Sequence, residues 1–215
     1  MSEPVKLGED VTLYCGDCLE ILPTLAAGSV DAVVTDPPYN AGVMFGDELK
    51  WQEYGDWLAA VLNECHRLGN GNEFIFQSPK AIPYIGQLFD GFGSFAAVKN
   101  FAMMGYGKIP NAWDLAFYKC ENFTGIGRNW FLSNTAGMLS DRVDHPTQKT
   151  VSLMTYILEL YDCRTILDPF MGSGTTGVAC VQTGRKFIGI EIDPNYFEIA
   201  RKRISEAQLQ IRMEI

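Results

Sequence analysis

Basic residues are scarce in the first half of this 215-residue chain. Residues 1–98 hold four lysines and arginines against 14 acidic side chains, and the whole chain has 17 against 26, a net charge of -9 with a pI near 4.7. So acidic a chain does not coat a nucleic acid by bulk attraction. Long apolar runs are missing too: no stretch of 18 residues is apolar, and the opening MSEPVKLGED has no apolar signal segment. The expectation is a protein that neither spans a membrane nor is secreted, and that stays in the cytoplasm. Histidine is limited to two residues, and the six cysteines form a single C-x-x-C, Cys15-Gly16-Asp17-Cys18. Without a second such pair or suitably spaced histidines no metal site is expected, and thiols in a reducing compartment need no disulfide framework. Internal repeats and low-complexity tracts are lacking. What is present, 47% hydrophobic and 20% charged residues, is an ordinary composition for one domain, taken as residues 1–215.

Apolar patterning reads as strands at 11–15, 30–35, 73–77, 95–104, 113–119, 165–167 and 186–191. Helical spacing covers 17–27, 51–68, 81–89, 148–161, 174–183 and 194–208, with Thr147 as an N-cap. The stretch 120–146, rich in Gly, Asn and Ser, gets no assignment. Strands alternating with helices predict an α/β domain, a mostly parallel sheet with helices on both faces. Charge is uneven along it. Residues 99–149 are the single net-positive segment, at +2, and read as an insert facing a polyanion.

A glycine-rich turn follows the strand at 165–167. In Asp168-Pro169-Phe170-Met171-Gly172-Ser173-Gly174-Thr175-Thr176-Gly177 the glycines fit G-x-G-x-x-G, the turn that lets a ligand approach a helix N-terminus closely. The next strand ends at Glu191, placed to accept hydrogen bonds from ribose hydroxyls. A nicotinamide-dependent oxidoreductase would carry the same motif. Only 24 residues follow Glu191, however, too few for the further β-α-β units of a dinucleotide site. The remaining strands must come from the N-terminal half, so the sheet is circularly permuted. Asp168 at the strand end would repel a phosphate and suits a cationic amine. A ligand with a ribose, a positive amino-acid tail and no phosphate is S-adenosylmethionine.

The second motif is Asp36-Pro37-Pro38-Tyr39, at the end of the strand 30–35. Two prolines fix φ and hold the backbone extended, which aims the Pro37 carbonyl. A carboxylate and a carbonyl make two acceptors for one NH2 group, and Tyr39 offers a flat face for a planar base. This set suits methylation of an exocyclic amine. Such a nitrogen is a poor nucleophile because its lone pair is delocalised into the ring. Two acceptors on its hydrogens pull it towards a tetrahedral geometry and free the lone pair for in-line attack.

Together DPPY at 36–39, HPTQK at 145–149, DPFMGSGTT at 168–176 and IGIEID at 188–193 resemble the amino-group DNA methyltransferases. Their order is similar to the β-class permutation of that family. The likeness covers 11–40 and 145–208 well and the middle poorly. It implies a circularly permuted, Rossmann-like fold with a seven-stranded sheet, S-adenosylmethionine as cofactor and DNA as partner. Asp36, Pro37, Pro38 and Tyr39 would be catalytic. Cofactor contacts would fall to Asp17, Lys149, Asp168, Phe170, Gly172, Gly174 and Glu191, joined by Ser173, Thr175 and His145. Asp36 favours adenine N6, since the family's cytosine-N4 members more often carry serine there; glutamine methyltransferases start the tetrad with asparagine. Thr150 stands where the family usually has proline, which alters the helix start. The recognition insert, 105–144, is short, with Lys108, Asn111 and Arg128 as expected DNA contacts and a homodimer expected to enlarge the surface facing DNA. Trp51 and Trp57 read as helix packing, and Arg201-Lys202-Arg203 as a solvated helix face. A catalytically silent DNA- or S-adenosylmethionine-binding protein is the rival from another class.

Overall fold

Strand and helix alternate along the chain as the patterning predicts. In chain order the computed structural model has β1 (Val5–Leu7), β2 (Val11–Cys15), α1 (Cys18–Ile21), β3 (Ala32–Thr35), α2 (Trp51–Gly69), β4 (Glu73–Phe76), β5 (Gly93–Met103), β6 (Asn111–Lys119), β7 (Trp130–Ser133), α3 (Val151–Glu159), β8 (Thr165–Asp168), α4 (Thr175–Gln182), β9 (Lys186–Glu191) and α5 (Pro194–Glu214). The structure describes residues 3–40, 49–83, 92–103, 111–119, 129–133, 148–160 and 162–214. The helix expected at 81–89 lies largely outside them, as do Thr147 and most of the stretch 120–146.

The nine strands form one sheet in the order β1-β2-β9-β8-β3-β4-β6-β5-β7. From β2 through β9, β8 and β3 to β4 every pairing is parallel, while β6 is antiparallel to both β4 and β5. These seven strands are the expected body of the sheet. Two edge strands were not expected: β1, antiparallel on β2, and β7, parallel to β5. A three-residue edge strand and a four-residue one inside a Gly- and Asn-rich stretch are too short to show a period.

Burial on both faces explains why the central strands hold. All four residues of β3 are buried, as expected of a parallel strand covered on both faces. Ala32 and Val34 join β4's Phe74 and Phe76 in a cluster with α3, α4 and α5. Val33 faces the other way, onto Val61, Cys65 and Leu68 of α2 and Cys18 and Ile21 of α1.

The strand order also locates the working edge. The chain leaves β3 through α2 and returns at the neighbouring β4; it leaves β8 through α4 and returns at β9 on the opposite side. Since β3 and β8 are neighbours, the winding direction reverses between them. Open α/β sheets bind ligands in the crevice outside the carboxyl ends of the strands at such a switch point.

Two helix boundaries differ from expectation for identifiable reasons. The helix predicted over 17–27 ends at Ile21 and tightens into a 3-10 turn, Leu22–Thr24, with proline in its first turn; Pro23 has no amide to continue the α-helical ladder. The helix predicted from 148 starts at Val151, capped by Thr150, whose Oγ1 accepts a hydrogen bond from the Leu153 amide at 3.3 Å. The residue standing in place of proline thus supplies the cap itself.

Gly177 meets a packing demand. A Cβ there would lie 2.5 Å from Ile204 Cδ1 and 2.8 Å from the ring of Phe187, and Phe187 is a buried β9 residue. Gly177→Ala should gain about 1 kcal/mol of helix propensity but lose more to overpacking, for a net loss of about 1–2 kcal/mol in urea unfolding. Wild-type stability in that variant would contradict the close packing of α4, α5 and β9.

Candidate active site at the carboxyl edge of the sheet

Asp36 directly follows β3 and is held from two sides. Its Oδ1 accepts a hydrogen bond from the Tyr39 hydroxyl at 2.7 Å, and its Oδ2 lies 2.6 Å from Lys149 Nζ. Burial, and then the charge of Asp36, push the Tyr39 phenol well above its ordinary range, so it remains a protonated donor. Burial alone would lower Lys149, but the charges of Asp36 and Asp114 and the hydrogen bond to Asp36 outweigh it and leave the ammonium above its usual value. The backbone of the tetrad is fixed from below. Tyr54 of α2, fully buried, donates its hydroxyl to the Pro38 carbonyl at 2.8 Å and accepts from Gln77 Nε2 at 2.6 Å. A buried phenol needs such partners, and here they lock two prolines between α2 and the end of β4.

The glycine loop lies one strand away, after β8. Asp168, 2% exposed, accepts from Thr35 Oγ1 at 2.8 Å, from Thr176 Oγ1 at 2.7 Å and from the Phe170 amide at 3.1 Å. Burial raises this carboxyl to about 6; the three hydrogen bonds oppose the rise. Gly172 and Gly174 take the left-handed conformation, at φ 50° and 82°, which only glycine adopts without strain. A Cβ on Gly174 would also come within 2.9 Å of Ala200 Cα in α5. Glu191, ending β9, accepts from the Gly172 amide through Oε2 at 2.9 Å and from the Asp193 amide through Oε1 at 2.8 Å. Burial pushes its carboxyl up as well.

Asp17 stands at the same edge, because β2 pairs with β9 and the Gly16 amide donates to the Glu191 carbonyl at 2.9 Å. Its side chain caps α1 through the Leu19 amide at 2.8 Å. Of the C-x-x-C pair around it, Cys18 is buried and its thiol pushed up to about 12, chiefly by burial and then by Asp17, which leaves it a poor nucleophile and ligand.

Four carboxylates therefore mark the carboxyl ends of adjacent strands in the order Asp17, Glu191, Asp168, Asp36. Among the described residues the cations nearby are committed elsewhere: Lys149 to Asp36, and Arg203 of α5 to the loop itself, through Ser173 carbonyl and Oγ at 2.6 and 3.0 Å. Such a set of acceptors repels phosphate and suits a cationic ligand bearing hydroxyls. Among the described residues no group of His, Cys, Asp and Glu could hold a metal ion, and no helix is long and apolar enough to cross a membrane.

A family model described as DNA methylase, of the N6/N4 type, matches residues 30–112 and 105–202. The chain belongs to this DNA methylase family. It is 29% identical to the DNA adenine methyltransferase YhdJ of Escherichia coli strain K12, over 95% of this chain and 86% of that protein. It is 28% identical to the type II methyltransferase M.HpaI of Haemophilus parainfluenzae, over 91% and 74%. Among solved structures, the M1.HpyAVI–SAM complex superposes with a TM-score of 0.66 at 29% identity, covering 90% of this chain and 99% of that one. The cytosine-N4-specific PvuII DNA methyltransferase shares the fold, with a TM-score of 0.74 over 98% and 94% at 18% identity.

Within this DNA methylase, the structure brings Asp36, Tyr39, Lys149, Asp168, Phe170, Gly172, Gly174, Glu191 and Asp17 to one edge. Ser173 and Thr175 are there too, both buried and both contacted by Arg203. His145, Lys108 and Arg128 fall outside the described residues, and Asn111 opens β6. Lys149, expected to contact the cofactor, has its ammonium on Asp36. Two other readings change. Arg203, read as part of a solvated face, holds the glycine loop. Trp57 is more than helix packing: its ring bridges Tyr54, at 5.7 Å, and Phe170, at 5.6 Å, between tetrad and loop. Tyr54 and Gln77 were missed, though a tyrosine one turn into α2 and a polar residue ending an apolar strand were visible hints.

The raised Asp168 carboxyl has a thermodynamic sign. Between its ordinary 3.8 and about 6 the folded protein holds a proton that the unfolded chain has released. Its contribution to stability is thus full below pH 4 and lost as pH rises through about 6. Asp168→Asn removes that titration, so the stability difference, wild type minus variant, should fall by roughly 2–3 kcal/mol from pH 4 to 7. Urea melts with the same pH dependence for both proteins would contradict it.

Proposed function

We propose that this chain, residues 1–215 acting as one domain, transfers a methyl group from S-adenosylmethionine to the N6 amine of an adenine flipped out of DNA. The observation that carries this reading is the placement of Asp36-Pro37-Pro38-Tyr39 and the glycine loop on adjacent parallel strands at the switch point of the sheet. The set of acceptors fits the cofactor: Asp17 and Glu191 for its adenosine, the loop from Asp168 to Thr175 for its amino-acid part, and carboxylates in place of phosphate-binding cations. When bound, S-adenosylmethionine supplies a methyl on a cationic sulfur, an electrophile that accepts an amine's lone pair.

The chain's own residues prepare that amine. Asp36 accepts one N6 hydrogen and the Pro37 carbonyl the other, which localises the lone pair on nitrogen. Tyr39 stacks on the base, and the Tyr54–Gln77 pair keeps the proline backbone from yielding. Asp36, once the amine is methylated and cationic, is the nearest acceptor for the surplus proton. Aspartate at position 36 and the likeness to a named adenine methyltransferase support adenine over cytosine. The segment 105–144, with Lys108, Asn111 and Arg128, reads the DNA sequence; the alignment to YhdJ runs over 254 residues, so that relative carries extra length which this chain lacks. A homodimer supplies the missing surface.

Asp36→Ala should abolish transfer of labelled methyl to DNA while S-adenosylmethionine affinity, by calorimetry, stays within about threefold, since Asp36 acts on the amine. Wild-type turnover in that variant would overturn the assignment. Alanine at Lys108, Asn111 and Arg128 together should weaken DNA binding and lower its salt slope by about one per lost phosphate contact. Unchanged binding and site preference would remove the insert as reader, and light scattering that shows monomer with and without DNA would remove the dimer.

A further inference from the structure

Asp36 has to offer an oxygen to the substrate amine, yet both of its oxygens are taken. The two partners differ in kind. Lys149 makes a charge-assisted contact at 2.6 Å, the stronger class of hydrogen bond. It is 7% exposed, and an ammonium so buried is costly unless paired. Its head also lies over the ring of Phe76, 4.9 Å from the centroid, and over that of Tyr39 at 5.6 Å, within the range of cation–π attraction. The residue stands on a fixed base, immediately before the Thr150 cap of α3. Tyr39, by contrast, is a neutral donor at 2.7 Å, next to Asn40 in the left-handed conformation at φ 54°, and its ring is the face on which a base would stack.

We propose that Lys149 is a positioning residue for Asp36: it fixes the carboxylate through Oδ2 while the Tyr39 hydroxyl yields Oδ1 to the incoming amine. This rests on the reading of the preceding subsection and adds the step by which the tetrad opens. One neutral O–H donor leaves Oδ1 and one neutral N–H donor arrives, so the hydrogen-bond count on the carboxylate is conserved and the exchange carries little net cost. Released from Asp36, the Tyr39 ring is free to move onto the base. Throughout, Lys149 keeps the carboxylate from rotating and offsets the charges of Asp36 and of Asp114, which bears on Lys149 from β6.

The test compares wild type, Lys149→Met, Lys149→Gln and Lys149→Arg in steady-state methyl transfer to DNA, with S-adenosylmethionine binding followed by calorimetry. Lys149→Met should lower kcat at saturating cofactor by about 100-fold or more with cofactor Kd changed by about threefold at most, and Lys149→Arg should recover about tenfold of the loss. A purely structural role would not give that rescue or that separation. If the methionine variant does not fold, Lys149→Gln, which keeps a donor for Oδ2 without the charge, should still lower kcat by about tenfold relative to wild type with cofactor Kd changed by about threefold at most. Wild-type kcat in the Met or Gln variant would overturn the proposal. So would a loss that appears as cofactor affinity weakened by about tenfold with kcat retained, which would make Lys149 a cofactor ligand. Wild-type protein that methylates no DNA, although it binds S-adenosylmethionine, would overturn the underlying reading and this proposal with it.

Discussion

One hydrogen bond, from Thr35 Oγ1 to Asp168 Oδ1 at 2.8 Å, joins two segments 133 residues apart in the chain. Both groups are buried, where an unmade bond would cost about 1–3 kcal/mol. Thr35 is the last residue of β3 and Asp168 the last of β8, and each is followed at once by a functional turn: Asp36-Pro37-Pro38-Tyr39 on one side, Pro169 to Gly174 on the other. Parallel pairing of β3 with β8 puts the two turns at the same edge, and this bond fixes their relative height. The geometry of the site depends on it, because the substrate amine and the methyl donor have to meet between them.

Charge is the second constraint. A body of net charge -9 concentrates carboxylates at the very edge that carries the candidate site. The conflict is resolved locally. Asp168 and Glu191 are buried and accept hydrogen bonds from the protein, Asp36 is paired with Lys149, and the cofactor such a site suits is itself a cation. The proposed function places affinity for DNA in the net-positive segment 99–149, not in the fold as a whole.

What was legible in the sequence was local. The tetrad and the glycine loop each carry their chemistry within a few residues, and β3, β4, β8 and β9 show their apolar patterning without help from the rest of the chain. The circular permutation followed from the order of the motifs, the tetrad at 36–39 ahead of the glycine loop at 168–177. What escaped was set by partners distant in sequence. Lys149 and Asp36 are 113 residues apart, and no spacing rule links them. Arg203 and Ser173, 30 apart, meet because Gly174 and Gly177 let α5 approach the loop closely. The edge strands β1 and β7 are too short for a period to show, and Pro23 ends α1 where the apolar spacing suggested a longer helix.

The central claim is that this edge methylates adenine at N6. Nucleoside mass spectrometry of unmethylated DNA, after incubation with the protein and S-adenosylmethionine, tests it most directly. The account predicts N6-methyladenine, with no methylated cytosine. N4-methylcytosine as the product would contradict the assignment of base, and unmodified DNA in the presence of a protein that binds the cofactor would contradict the assignment of activity.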